Sequence, residues 1–128
     1  MKAEGRGKMK KILLLLFILF SFTSSSFAAN WYWLGTTPDG TQWYVDNNDV
    51  IKTDMSAKVW TKIMRSNGKF SVTRVYVDRR NKMLAIISNT NYNANGVVLY
   101  QHVPTYLKFE PIIPDSMGDI LYHAIWPY

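Results

Sequence analysis

Turn-forming clusters recur at short intervals through most of this chain, and they limit how long any single element can be. Pro38-Asp39-Gly40, Asn47-Asn48-Asp49, Asn67-Gly68, Arg80-Asn81-Lys82 and Asn95-Gly96 each interrupt a regular run. Gly and Asn tolerate the positive φ of tight turns, and Pro removes a backbone donor. The runs between these clusters are rich in Val, Ile, Tyr, Trp and Thr, which suit a pleated surface. The pattern predicts an antiparallel meander with strands over residues 31–34, 41–46, 57–65, 69–78, 83–92 and 96–103, and a short addition over 50–52.

Alternation within the longer runs predicts what each face carries. Phe70, Val72, Arg74 and Tyr76 share one face, while Ser71, Thr73, Val75 and Val77 share the other. Met83, Ala85 and Ile87 alternate with Leu84 and Ile86 before the run turns polar at Ser88. Neither face is cleanly polar, so the sheet needs two covers. One is legible at the C-terminal end. Pro114-Asp115-Ser116 stops the extended chain, and Ser116 with Asp119 has the spacing of a capping box, with Asp where Glu or Gln is usual. Met117, Ile120, Leu121, Ala124 and Ile125 then form one apolar helix face, which Pro127 ends. The expected fold class is α+β, mainly β: a meander sheet of about six strands with a C-terminal helix packed on one face. For the second face, self-association into a homodimer and an aromatic binding surface would both serve.

The front of the chain reads differently. Lys10-Lys11 precede an uncharged apolar run over residues 12–22, about half the roughly 20 residues a bilayer-spanning helix needs. Ser26 and Ala28 then place small residues where a signal peptidase requires them. Residues 1–28 are expected to be a cleaved secretory signal and residues 29–128 a single exported domain, with translation starting at Met1 or Met9. Contact with a membrane is expected only through the signal before its cleavage. The destination is the periplasm, the cell surface or the medium.

Charge follows the same division. Lys2, Arg6, Lys8, Lys10 and Lys11 stand against Glu4 ahead of Ala29, so most of the formal +6 belongs to the leader and only +2 remains on the rest. That balance provides no basic stripe for a phosphate backbone, and no nucleic-acid partner is expected. Small exported domains often rely on disulfides; with no Cys in its 128 residues this one must rely on packing.

Chemistry is sparse. His102 and His123 lie far apart in sequence with no Cys near them, so no zinc site is expected. No mature serine sits in a Gly-x-Ser-x-Gly elbow. Most of the carboxylates fall in turns or at the helix start, where Asp caps the backbone, rather than in a glycosidase pair. Asp46-Asn47-Asn48-Asp49 clusters oxygen ligands but lacks the spacing and the bidentate Glu of a calcium loop. No catalytic residue, metal or cofactor is expected.

Aromatics are the one excess, at 15% of the chain. Core packing and cross-strand pairing account for most of them. Adjacent rings such as Tyr32-Trp33 and Trp43-Tyr44 must nevertheless point to opposite faces of regular strands. Some large rings therefore face away from the helix. Trp33, Trp43, Tyr44 and Trp60 are the candidate ligand or interface aromatics.

The order of motifs carries a resemblance. Trp31-Tyr32-Trp33-Leu34-Gly35, Gly40-Thr41-Gln42-Trp43-Tyr44-Val45-Asp46, Val59-Trp60, Arg79-Arg80-Asn81-Lys82-Met83-Leu84, Asn95-Gly96-Val97-Val98-Leu99-Tyr100 and Glu110-Pro111-Ile112-Ile113-Pro114-Asp115-Ser116-Met117-Gly118 together resemble the surface-adhesin protein E family of bacterial exported proteins. The resemblance spans nearly all of residues 29–128 and implies an antiparallel sheet with a C-terminal helix, in a family named for members that bind host extracellular proteins. Many relatives carry a cysteine near the end of the fourth strand and another near the C-terminus, where this chain has Val77 and Trp126. The functional expectation is an exported, non-enzymatic, adhesin-like domain that contacts a protein or glycan ligand. The alternatives are a self-associating structural envelope protein and a small periplasmic enzyme inhibitor.

Overall fold

The computed structural model describes residues 28–127, so the expected signal segment, apart from Ala28, lies outside the described residues. The strands are β1 (Trp31–Thr36), β2 (Gln42–Asp46), β3 (Ile51–Lys52), β4 (Ser56–Met64), β5 (Phe70–Asp78), β6 (Met83–Tyr92), β7 (Val98–His102) and β8 (Glu110–Pro111), followed by the helix α1 (Met117–Ile125). They form one antiparallel sheet in the order β1-β2-β4-β5-β6-β7, with β3 paired to β4 and β8 paired to β6. The expected meander with a C-terminal helix is present. The turn glycines Gly40, Gly68 and Gly96 all take positive φ, as the hairpins they close require. The two-residue β8 had no periodicity to announce it.

Register fixes two faces. On one, Val45, Ala57, Val59, Val75 and Val77 are buried against Leu121, Ile125 and Trp126, with Ile112 closing the cluster. Val59 and Val77 are the largest fully buried side chains. Val77 and Trp126 thus belong to the same apolar core.

The helix is capped as its sequence suggests, with one variation. Ser116 accepts from the backbone N–H of Asp119, while the Asp119 carboxylate accepts from the N–H of Asp115 at 2.9 Å rather than from that of Ser116. At the other end, Lys52 Nζ donates to the Ile125 carbonyl at 2.6 Å, where a cation suits the helix C-terminus. The Trp126 indole N–H donates to the Thr53 carbonyl at 3.2 Å.

The buried stripe of α1 is rotated from the expected one. Ile120 is 40% exposed and Ala124 is also outside. Gly118 and Tyr122 turn inward with Leu121 and Ile125 in their stead. A Cβ at Gly118 would lie 3.2 Å from Leu84 Cδ2, so the missing side chain is what lets the helix settle this closely on β6.

Three bulges interrupt the pairing. Leu34 is an extra residue in β1, Ile87 in β6 and Leu99 in β7. The bulge at Ile87 reverses parity within β6: Ala85 lies opposite Tyr76, and Ser88, not Ile87, lies opposite Arg74. The face expected for Ile87, alongside Met83 and Ala85, therefore does not continue through that position.

Candidate functional site

The face away from the helix is built from the other half of each strand. Cross-strand pairs run Trp33 to Tyr44, Tyr44 to Lys62, Lys62 to Val72 and Val72 to Thr90, ending at Gln101 on β7. Beside this row lie Trp31 opposite Asp46, and Trp60 opposite Arg74. Phe70 and Tyr92 form a third row, with their rings stacked at 4.7 Å.

Four of these aromatics carry cations or hydrogen bonds that hold them in place. Arg74 lies 5.0 Å over the Trp60 ring, and Lys62 Nζ lies 4.8 Å over Phe70 and 5.7 Å over Trp31. The Trp60 indole N–H donates to Asp49 at 3.0 Å, and the same carboxylate oxygen stands 3.8 Å from Arg74. Asp46, itself buried, accepts from the backbone N–H groups of Asn30 and Asn48, each at 2.9 Å. Trp33, 55% exposed, donates its indole N–H to Gln42 at 2.7 Å. The rings are thus oriented before any partner arrives, which lowers the ordering cost of binding.

A cleft of about 670 Å³ opens on this face. Trp31, Trp60 and Tyr92 supply aromatic surface, and Asp46, Asn48, Asp49, Thr90 and Gln101 supply polar groups around them, with Ala29 and Val72 completing the lining. Apolar walls with a few convergent polar groups are what small-ligand and side-chain recognition sites present.

The candidate aromatics divide between the faces. Trp33, Tyr44 and Trp60 share the open face, and Trp60 lines the cleft. Trp43 pairs with Ile63 on the helix side and lines a separate apolar groove of about 490 Å³ with Leu34, Ile63, Val75, Leu84 and Met117. Its indole N–H is buried with no hydrogen-bond partner among the described residues. Trp31 and Tyr92 join the cleft although neither was singled out from the sequence. The signal that could have found them is the two-residue spacing of Trp31 with Trp33, and of Thr90 with Tyr92, on one strand face.

The groups whose acidity the fold shifts lie in turns and at the helix cap rather than in the cleft. His102 is on β7, whereas His123 on α1 places Nε2 3.3 Å from Asp119. The Asp115 backbone N–H, aided by His123 and Lys82, holds Asp119 below the ordinary aspartate value of 3.8. A hydrogen bond from Thr37 lowers Asp39, and one from the Asn81 side chain lowers Asp78. Among the described residues, no group of three or more His, Cys, Asp or Glu is arranged to hold a metal ion, and no helix is long and apolar enough to cross a membrane.

The chain matches no protein-family model, no curated protein and no solved structure.

Proposed function

We propose that this chain is an exported, non-enzymatic binding domain of the adhesin-like kind its motif order resembles, and that it contacts a protein or glycan ligand through the open aromatic face of its sheet. The observation that carries this reading is the cleft in which Trp31, Trp60 and Tyr92 converge with Asp46, Asn48, Asp49 and Gln101. Aromatic faces ringed by carboxylate and amide groups accept both a sugar ring and an amphipathic side chain. Export is supported by the leader-like segment over residues 1–28.

The test is binding of the exported protein to arrays of envelope and host proteins and of glycans, followed by affinity measurement for any ligand retained. Trp60→Ala and Trp31→Ala should each weaken binding about tenfold or more, the cost of losing a central aromatic anchor. Tyr32→Ala, on the opposite sheet face by its pairing with Val45, should leave affinity unchanged. Retention of no ligand of either class, or binding indifferent to Trp60→Ala and Trp31→Ala, would refute the reading.

A further inference from the structure

We propose, resting on the reading of the open face as a binding surface, that its ligand is an acidic glycan, a chain of sugar rings that carry carboxylate or sulfate groups. The inference comes from what stands beside the aromatic cleft. Lys62, in the row that runs from Tyr44 to Val72, holds its Nζ 4.8 Å from the Phe70 ring and 5.7 Å from that of Trp31. Arg74 lies over Trp60, and Lys58, two residues before Trp60 on β4, is exposed on the same face. Among the described residues, neither lysine forms an ion pair with a carboxylate. Two cations are thus open to an anion arriving from outside.

The two carboxylates of the cleft are already committed elsewhere. Asp46 is 5% exposed, and its Oδ1 accepts from two backbone N–H groups. Asp49 uses Oδ2 both to accept from the Trp60 indole N–H and to face Arg74. Its second oxygen, with the amides of Asn48 and Gln101, remains to receive hydroxyl donors at the cleft.

Acceptors and cations in one place select the ligand. A neutral sugar chain would use the rings through its apolar C–H faces and the acceptors through its hydroxyls, but would leave Lys62 and Lys58 without a role. A nucleic-acid strand would use the rings and the cations, but would bring phosphates against Asp46 and Asp49. An acidic protein segment offers anions to the lysines, but few hydroxyl donors to the cleft. An acidic sugar chain carries flat apolar faces, hydroxyl donors and anionic groups together in each repeat, and so matches the whole surface.

The experiment is titration calorimetry on protein purified from cells expressing the full chain. Its probes are a heparin-derived hexasaccharide, a hyaluronan hexasaccharide, a neutral N-acetylglucosamine hexamer and a short deoxythymidine oligonucleotide. The expected result is that at least one acidic sugar binds about tenfold or more tighter than the neutral hexamer, the effect of a charge-assisted hydrogen bond. The better of the two acidic sugars identifies sulfate or carboxylate as the recognised group. Lys62→Gln should remove most of that preference. Binding to the unsubstituted protein should weaken as salt rises, a readout that needs no variant. Lys108→Gln, on the loop between β7 and β8, should change nothing. Equal losses for Lys62→Gln and Lys108→Gln would reduce the effect to net charge and overturn the proposal. So would a neutral hexamer or an oligonucleotide bound as tightly as the acidic sugars, or no binding of either acidic sugar. A neutral glycan or a protein retained on the arrays through Trp60 and Trp31 would overturn this inference alone and leave the binding role standing.

Discussion

Replacing Trp126 by Ala would test whether packing alone docks the helix in a domain without a disulfide. Trp126 is 6% exposed, sits in the cluster with Val77, Leu121 and Ile125, and lies beneath Arg79 at 5.4 Å. A buried Trp removes roughly 200 Å² from water, which at about 25 cal/mol per Å² gives about 5 kcal/mol. Compactness of the unfolded chain reduces that by roughly 10–40%, leaving about 3–5 kcal/mol, the range typical of Trp→Ala in a core. Against a total stability of about 5–15 kcal/mol, such a loss would leave a marginal fold. Trp126→Phe keeps a six-membered ring but removes the pyrrole part of the indole together with its hydrogen bond to the Thr53 carbonyl, at a cost of about 1–3 kcal/mol. The assay is equilibrium urea unfolding of both variants, with the slope m compared to confirm that the unfolded states match. A loss below about 1 kcal/mol for Trp126→Ala, or equal losses for the two variants, would refute the argument that ring burial holds the helix.

Three further outcomes can be checked by the same unfolding assay. Trp43→Ala, on the helix side, should cost about 2 kcal/mol, whereas Trp33→Ala, on the open face, should cost under about 1 kcal/mol, so the rings should separate into structural and surface roles. Gly96→Ala should cost about 1–2 kcal/mol from its φ of +82° alone, with nothing within 4 Å of the new Cβ. Gly68→Ala, at φ +87°, should cost more, because its Cβ would also lie 3.1 Å from that of Ala94. Asp39, Asp78 and Asp119 are lowered from 3.8 in the folded state, so the stability they contribute is fully present above that value and is lost as pH falls through their lower folded values. An Asp119→Asn variant should lose less stability over that acid range than the parent, and identical acid unfolding curves would refute this assignment.

Much of the fold was legible because local rules and the global arrangement agree. The Asn-Gly turns, the strict alternation of β5 and the Ser116 cap each determine structure within a few residues. The rotation of α1 was not legible: Ile120 and Ala124 fit an apolar stripe, but the gap left by Gly118 brings Leu84 against the helix backbone and turns a different face inward. The parity change at Ile87 was hidden for a similar reason, since a bulge is settled by the pairing of two strands. The candidate site was half legible. Alternation shows that Trp43 and Tyr44 part company, but the meeting of Trp31, Trp60 and Tyr92 in one cleft depends on strand order and sheet curvature. Those are set by contacts distant in sequence.

Ala29 lines that cleft, and the Asn48 side-chain amide donates to the carbonyl of Ala28 at 2.8 Å. Cleavage after Ala28 would remove that acceptor and create a new chain terminus at the cleft wall, and an α-amino group is largely protonated at neutral pH. Processing would thereby add a positive charge to a site whose lining includes Asp46 and Asp49. The precursor and the mature protein would then differ in the electrostatics of the cleft itself. A purification tag fused ahead of Ala29 would alter the surface it was meant to help characterise.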